Sequence, residues 1–207
     1  MEIKYFGGNC VRISTKKSSI LIDDDVNVNN KSLATEKDIV ARTYRVNNDA
    51  KPLFLIDGPG EYEVSEVSIF GIPAQGHMEE SGHANTMYRI EVDDVNIGVI
   101  GHSFAKLTEQ QYEDLGSIDI LIIPIGGSGY TLDGVEAQKL IKEIEPKIVI
   151  PTHYDDGKTK YEVPQANLKE ALKLLSIEPN ETLESLKIKP NELNLSEVTR
   201  MIILEAK

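Results

Sequence analysis

The chain has 207 residues, 40% of them hydrophobic and 27% charged, which is enough to bury a substantial core in one compact domain spanning 1–207. Its 34 acidic against 22 basic side chains give a formal net charge of -12, which repels phosphate backbones and anionic membrane surfaces and argues against a nucleic-acid partner. The single cysteine, Cys10, excludes an intramolecular disulfide, the opening Met1-Glu2-Ile3-Lys4 has no basic-then-apolar signal pattern, and the longest apolar run, Ile118 to Ile125, is far shorter than the ~20 residues of a membrane-spanning helix. A cytoplasmic protein with no membrane association is expected.

The first half reads as short strands. Apolar patterns at Ile3 to Phe6, Val11 to Ser14, Ile20 to Asp23, Ile39 to Arg42 and Leu53 to Ile56 are β-like, and Glu61 to Val64, Val67 to Phe70 and Tyr88 to Val92 continue the series. Asp93-Asp94 is a tight-turn pair leading into Asn96 to Ile100. From Thr108 the character changes. Thr108 followed by Gln111 is a capping box for a short helix ending near Gly116, and Ile118 to Ile125 has the continuous apolar run of a strand buried on both faces. Ala137, Leu140, Ile141 and Ile144 share one helical face, Pro146 stops that helix, and Lys147 to Ile150 returns as a strand. Leu168, Ala171, Leu172 and Leu175 mark a last helix before a polar stretch around Pro190-Asn191 and a closing strand, Val198 to Leu204. Sheets from both halves flanked by helices predict an α/β sandwich.

Candidate chemistry rests on the four histidines, His77, His83, His102 and His153. His102 follows Val99-Ile100-Gly101, His153 follows Val149-Ile150-Pro151-Thr152, and His77 follows Ile69 to Ala74 across Gln75-Gly76, so three of them stand just beyond strand-like segments, where α/β sites form. Taken singly, each is an ordinary surface or hydrogen-bonded histidine; the shared position is what makes them a candidate site. Asp23-Asp24-Asp25 closes the strand Ile20-Leu21-Ile22 and could hold a cation or orient a histidine ring. Gly126-Gly127-Ser128-Gly129 lacks the Lys-Ser or Lys-Thr pair of a phosphate loop and reads as a tight turn, and Cys10 reads as a small buried residue.

The order of these segments resembles the metallo-β-lactamase superfamily, in particular its small bacterial zinc-dependent hydrolases. Tyr5-Phe6-Gly7-Gly8-Asn9-Cys10 resembles the opening glycine turn, Ile20-Leu21-Ile22-Asp23 the strand ending in the first aspartate, and Pro59-Gly60-Glu61-Tyr62-Glu63-Val64 a subfamily motif. Gly71-Ile72, His77, Gly82, Asn85-Thr86, Leu107-Thr108, Ile118 to Gly127 and Pro151-Thr152-His153-Tyr154 keep the same order. The resemblance implies a four-layer αββα sandwich. It also implies a metal-bound hydroxide acting on an ester, lactone, amide or phosphate.

The T-H-x-H-x-D-H motif that holds the metals in that superfamily is degenerate here. With Thr43 kept in register, Tyr44 and Val46 stand at two histidine positions, Asn48 at the aspartate and Asp49 at the last histidine, and the bridging Gly-Asp pair reads Gly101-His102. The resemblance leaves one residual metal set, Asp49, His102 and His153, able on paper to take one zinc or another divalent transition metal, with His77 or Asp23 as proton carrier. The reading preferred from sequence is that the dinuclear site is lost, no cofactor is bound, and the cleft binds a small molecule or protein or serves a structural role; a one-metal hydrolase is the alternative. The loops Asn27 to Lys37 and Asp155 to Lys160 are expected to flank the cleft, and exposed sheet edges make a homo-oligomer conceivable.

Overall fold

Strand periodicity in the first half becomes two facing sheets in the computed structural model, which describes residues 1–77, 85–189, 193 and 198–207. His83, Gly82 and the Pro190-Asn191 stretch lie outside the described residues. The strands are β1 (Glu2–Tyr5), β2 (Val11–Ser14), β3 (Ser19–Ile22), β4 (Ile39–Ala41), β5 (Phe54–Ile56), β6 (Gly60–Val64), β7 (Val67–Ala74), β8 (Asn85–Val92), β9 (Val95–Val99), β10 (Ile120–Pro124), β11 (Ile148–Thr152), β12 (Glu181–Leu183), β13 (Leu186–Lys187) and β14 (Arg200–Leu204). Among the described residues one sheet has the order β13-β1-β2-β3-β4-β5, and the other β12-β14-β11-β10-β9-β8-β7-β6. Antiparallel hairpins build β1 to β3 and β6 to β9, while β3-β4-β5, β9-β10-β11, β11-β14 and β12-β14 pair in parallel.

Alternation decides what faces what. Ile20, Ile22, Ile39 and Ala41 point into the core shared with Ile90, Ile97, Ile122 and Ile150 of the second sheet, whereas Leu21 and Val40 point the other way and pack with Cys10 beneath Phe6, Leu33 and Ala34. β10 and β11 are buried along their whole length, as the unbroken apolar runs require. The predicted Asp93-Asp94 turn forms with both residues at positive φ, 50° and 58°, the conformation whose twist suits a two-residue hairpin loop.

Four helices accompany the sheets among the described residues: α1 (Val26–Asn29), α2 (Glu109–Leu115), α3 (Gly134–Ile144) and α4 (Leu168–Leu175). Thr108 and Gln111 make the reciprocal capping box read from the sequence, and Asp133 with Glu136 and Asn167 with Glu170 repeat the device at α3 and α4. α3 packs on β10 and on α4, burying Ala137, Leu140 and Ile141. This is the α/β sandwich of two mixed sheets that the sequence predicts. No helix among the described residues is long and apolar enough to cross a membrane.

Candidate functional site

The loops at the C-terminal ends of β3, β4, β9, β10 and β11 converge on one side of the sandwich. They bring together residues far apart in sequence: Asp23 to Asp25, Thr43 to Asp49, His102, Tyr130, His153 and Tyr161. A cleft of about 1240 Å³ opens there, bordered by Asp25, Arg42, Tyr44, Tyr130, His153 and Tyr161 among others. Asn27 and Val28 come from the first loop expected to flank it and Lys160 from the second.

Aromatic rings form its floor. Tyr44 lies against the His102 ring with centroids 3.7 Å apart, and Tyr130 and His153 meet the same ring edge-on, each at 4.9 Å. His153 continues the series to Tyr161 at 4.9 Å. His102 is 4% exposed and is absent from the cleft lining, while Tyr44 and Tyr130, which touch it, are part of that lining. The approach that packs His102 against the motif segment depends on Gly101, at φ 60°, where a Cβ would stand 2.3 Å from the Thr43 side chain.

Hydrogen bonds fix the state of each ring. Thr152 Oγ1 donates to Asn9 Oδ1 at 2.8 Å, which turns the Asn9 amide nitrogen toward His102 Nδ1 at 3.1 Å. His102 Nδ1 is therefore an acceptor, and the neutral ring carries its proton on Nε2, a buried N–H with no hydrogen-bond partner. In that tautomer Nε2 offers no lone pair to a cation. Burial, reinforced by His153 and His77, holds the His102 pKa well below the ordinary histidine value. Gln165 Nε2 donates to Val163 O at 2.8 Å, so Gln165 Oε1 faces His153 Nδ1 at 3.3 Å and accepts a hydrogen bond from its N–H. Burial brings His153 down to about 4.

The three aspartates after β3 are internal acceptors, engaged by backbone and side-chain donors of the neighbouring loops. Asp23, at φ 44°, takes Thr43 N at 2.7 Å and Thr43 Oγ1 at 2.5 Å, and burial raises its pKa to about 7. Asp24 takes Leu33 N, Ala34 N, Ser32 Oγ and Asn48 Nδ2. Asp25 caps α1 and accepts the Tyr44 hydroxyl at 3.0 Å.

The side chains of Tyr44, Val46 and Asn48 are thus engaged within the chain. The Tyr44 hydroxyl is committed to Asp25, Val46 is buried and carries no donor atom, and the Asn48 amide is held by Asp24. Asp49 is an exposed side chain at the cleft. Among the described residues no three or more His, Cys, Asp or Glu side chains are placed to hold a metal ion, so the expected set of Asp49, His102 and His153 is not assembled. His102 and His153 do meet, ring against ring, but Asp49 does not join them. His77 stands apart from the cleft lining: its amide donates to His102 O at 3.3 Å, its ring meets Phe104, and its Nε2 lies 3.8 Å from Glu136 Oε2. As expected, Gly126 to Gly129 is a turn, closed by Gly127 N to Leu132 O, and Cys10 is buried, its thiol pushed up by desolvation.

Solved structures share this architecture. A protein from Thermotoga maritima assigned to the Zn-dependent hydrolases of the metallo-β-lactamase superfamily superposes with a TM-score of 0.75 at 23% identity, covering 99% of this chain and 98% of the other. The metallo-β-lactamase-fold protein YhfI from Bacillus subtilis does so with a TM-score of 0.59 at 9% identity over 100% and 98%. The fold is that of the metallo-β-lactamases. Residues 2–153 match the model of the β-lactamase superfamily domain, and the chain belongs to that family. Proteins named UPF0173 metal-dependent hydrolase are similar in sequence, at 30% identity over 60% of this chain in Pyrococcus furiosus and 36% over 46% in Thermococcus onnurineus. The matched stretches span 58% and 44% of those relatives.

Proposed function

We propose that this chain is a non-hydrolytic member of its superfamily, in which the dinuclear metal centre has been replaced by a packed ring cluster and the cleft above it binds a small molecule. The single observation that carries this reading is the His102 ring. By the resemblance read from the sequence it takes the place of the bridging aspartate; it is closed in by Tyr44 and held by Asn9 in the tautomer that has no lone pair at Nε2. The residues around it do not fit a metal, since the side chains in the motif register are a phenol, a valine, an amide and an exposed carboxylate.

A small molecule suits the cleft better than a polymer does. Tyr44, Tyr130 and Tyr161 offer flat apolar faces, and the polar rim carries both signs of charge, with Arg42, Arg45 and Lys160 set among Asp25, Asp49, Asp57 and Glu162. A cleft of mixed charge on a chain of net charge -12 has no basic stripe to track a nucleic acid. The buried lone cysteine agrees with a cytoplasmic setting.

Elemental analysis of protein purified without a metal-affinity tag, beside a His102→Ala/His153→Ala variant, tests the reading. The expected result is no stoichiometric metal in either protein and no turnover of ester, lactone or phosphodiester substrates. One metal per chain that disappears in the variant overturns it in favour of the one-metal hydrolase.

A further inference from the structure

Among the charges that line the cleft, Asp25 differs from the others in burial and in pairing. Arg42 is held by Asp57, with Nη1 3.6 Å from Oδ2, and by Asn48 O at 2.8 Å. Arg45 and Lys160 stand exposed at the rim, and Asp49 and Glu162 balance them there. Asp25 is 6% exposed. Its Oδ1 accepts from Asn27 N at 2.9 Å and its Oδ2 from the Tyr44 hydroxyl at 3.0 Å, and no cationic side chain among the described residues forms an ion pair with it. A carboxylate can accept about four hydrogen bonds, so part of its capacity stays open. A buried carboxylate without a counter-charge is costly, and a cation entering from outside offsets that cost.

The surfaces beside it are aromatic. Tyr44 and Tyr130 both pack on the His102 ring, and Tyr130 and Tyr161 both on the His153 ring, so two imidazoles hold three tyrosines in a row along the cleft. The Tyr44 hydroxyl is spent on Asp25, and the Tyr161 hydroxyl on Tyr154 O and Gly8 N, which leaves the rings rather than the hydroxyls for a ligand. The charged neighbours of Tyr130 are carboxylates: burial first, then Asp25, Glu162 and Asp23, push its hydroxyl pKa up. The face of a phenol ring carries the negative part of its quadrupole and attracts a cation.

We propose that the ligand of this cleft is a small organic cation, a quaternary or protonated amine, seated against Tyr44 and Tyr130 with Asp25 as its buried counter-charge. The inference rests on the reading of the cleft as a small-molecule site without a metal. An anion would meet Asp25 with like charge. A bare metal ion would find one carboxylate there and no group of three ligating side chains among the described residues. An organic cation uses both the carboxylate and the ring faces.

Tetramethylammonium, tert-butanol and pivalate are compact groups of similar shape that are positive, neutral and negative. Isothermal titration calorimetry with each tests the proposal at physiological ionic strength, where the attraction of a chain of net charge -12 for any cation is screened. Tetramethylammonium is expected to bind saturably at one site, and the other two are not. Asp25→Asn keeps a side-chain oxygen to cap α1 and is expected to weaken that binding about tenfold. Tyr130→Leu is expected to weaken it by a similar factor and Tyr130→Phe to leave it within about twofold, because the ring and not the hydroxyl makes the contact. Tetramethylammonium binding that ignores both Asp25→Asn and Tyr130→Leu lies elsewhere on the acidic surface and overturns the proposal, as does an absence of binding. Preference for pivalate or tert-butanol in metal-free protein also overturns it, while leaving the small-molecule reading in place. Stoichiometric metal with ester turnover overturns that underlying reading instead. Circular dichroism confirms that each variant is folded, and Tyr130 is only half-buried, so its variants decide the matter even if Asp25→Asn destabilises the loop.

Discussion

At the residue scale the site holds titratable groups whose burial pulls in opposite directions. His153 has its pKa reduced from 6.5 to about 4, so the folded protein resists a proton that the unfolded chain accepts below pH 6.5. Stability is therefore lost as pH falls from about 6.5 to about 4, by up to about 3 kcal/mol from this group. His102 acts in the same direction. Asp23 opposes them: its pKa is raised from 3.8 to about 7, so the folded state binds the extra proton and this contribution falls as pH rises through that window. The histidines and the carboxyl act in opposite directions over the same window, so each shows as a difference from the wild type. In urea unfolding between about pH 4 and pH 7, His153→Gln is expected to keep more of its neutral-pH stability at the acid end than the wild type does, and Asp23→Asn less. A second expectation concerns Gly101. Gly101→Ala places a Cβ against Thr43 at a positive φ and is expected to cost roughly 2 to 4 kcal/mol in the same unfolding assay.

At the scale of elements, the segments with a strong period were legible and the ones without it were not. β1 and β2 alternate and β10 and β11 are unbroken apolar runs, so burial on one face or both is written directly in their residues. β12 has three residues, two of them exposed, and β13 has two, so neither holds a pattern to read. α1, at four residues, is too short for helical periodicity and exists because Asp25 caps it. The site divides the same way. His102 and His153 could be found because strand ends announce them. Asn9 and Gln165, which set their tautomers, are single amides in loops with no local signal, and Tyr44, Tyr130 and Tyr161 become one cluster only through tertiary packing. Asp24 is a further case, since nothing in Asp23-Asp24-Asp25 says that the middle carboxylate pins the loop at residues 32–34 to Asn48. Asp24→Ala removes the acceptor for two backbone amides and two side chains. Limited proteolysis is expected to cut this loop faster in the variant than in the wild type, and equal rates would show that the loop is held by its apolar contacts alone.

For the whole molecule, the formal net charge of -12 sets how stability responds to salt. The folded chain holds its excess carboxylates closer together than the unfolded chain does, so their mutual repulsion weighs against folding. Added salt screens separated charges once the Debye length shrinks to about 8 Å at physiological ionic strength, while a contact such as Arg12 with Asp38 lies within that length and is screened less. The urea midpoint at neutral pH is therefore expected to rise from low to physiological ionic strength. A midpoint that falls instead would show that attractive pairs outweigh the net repulsion.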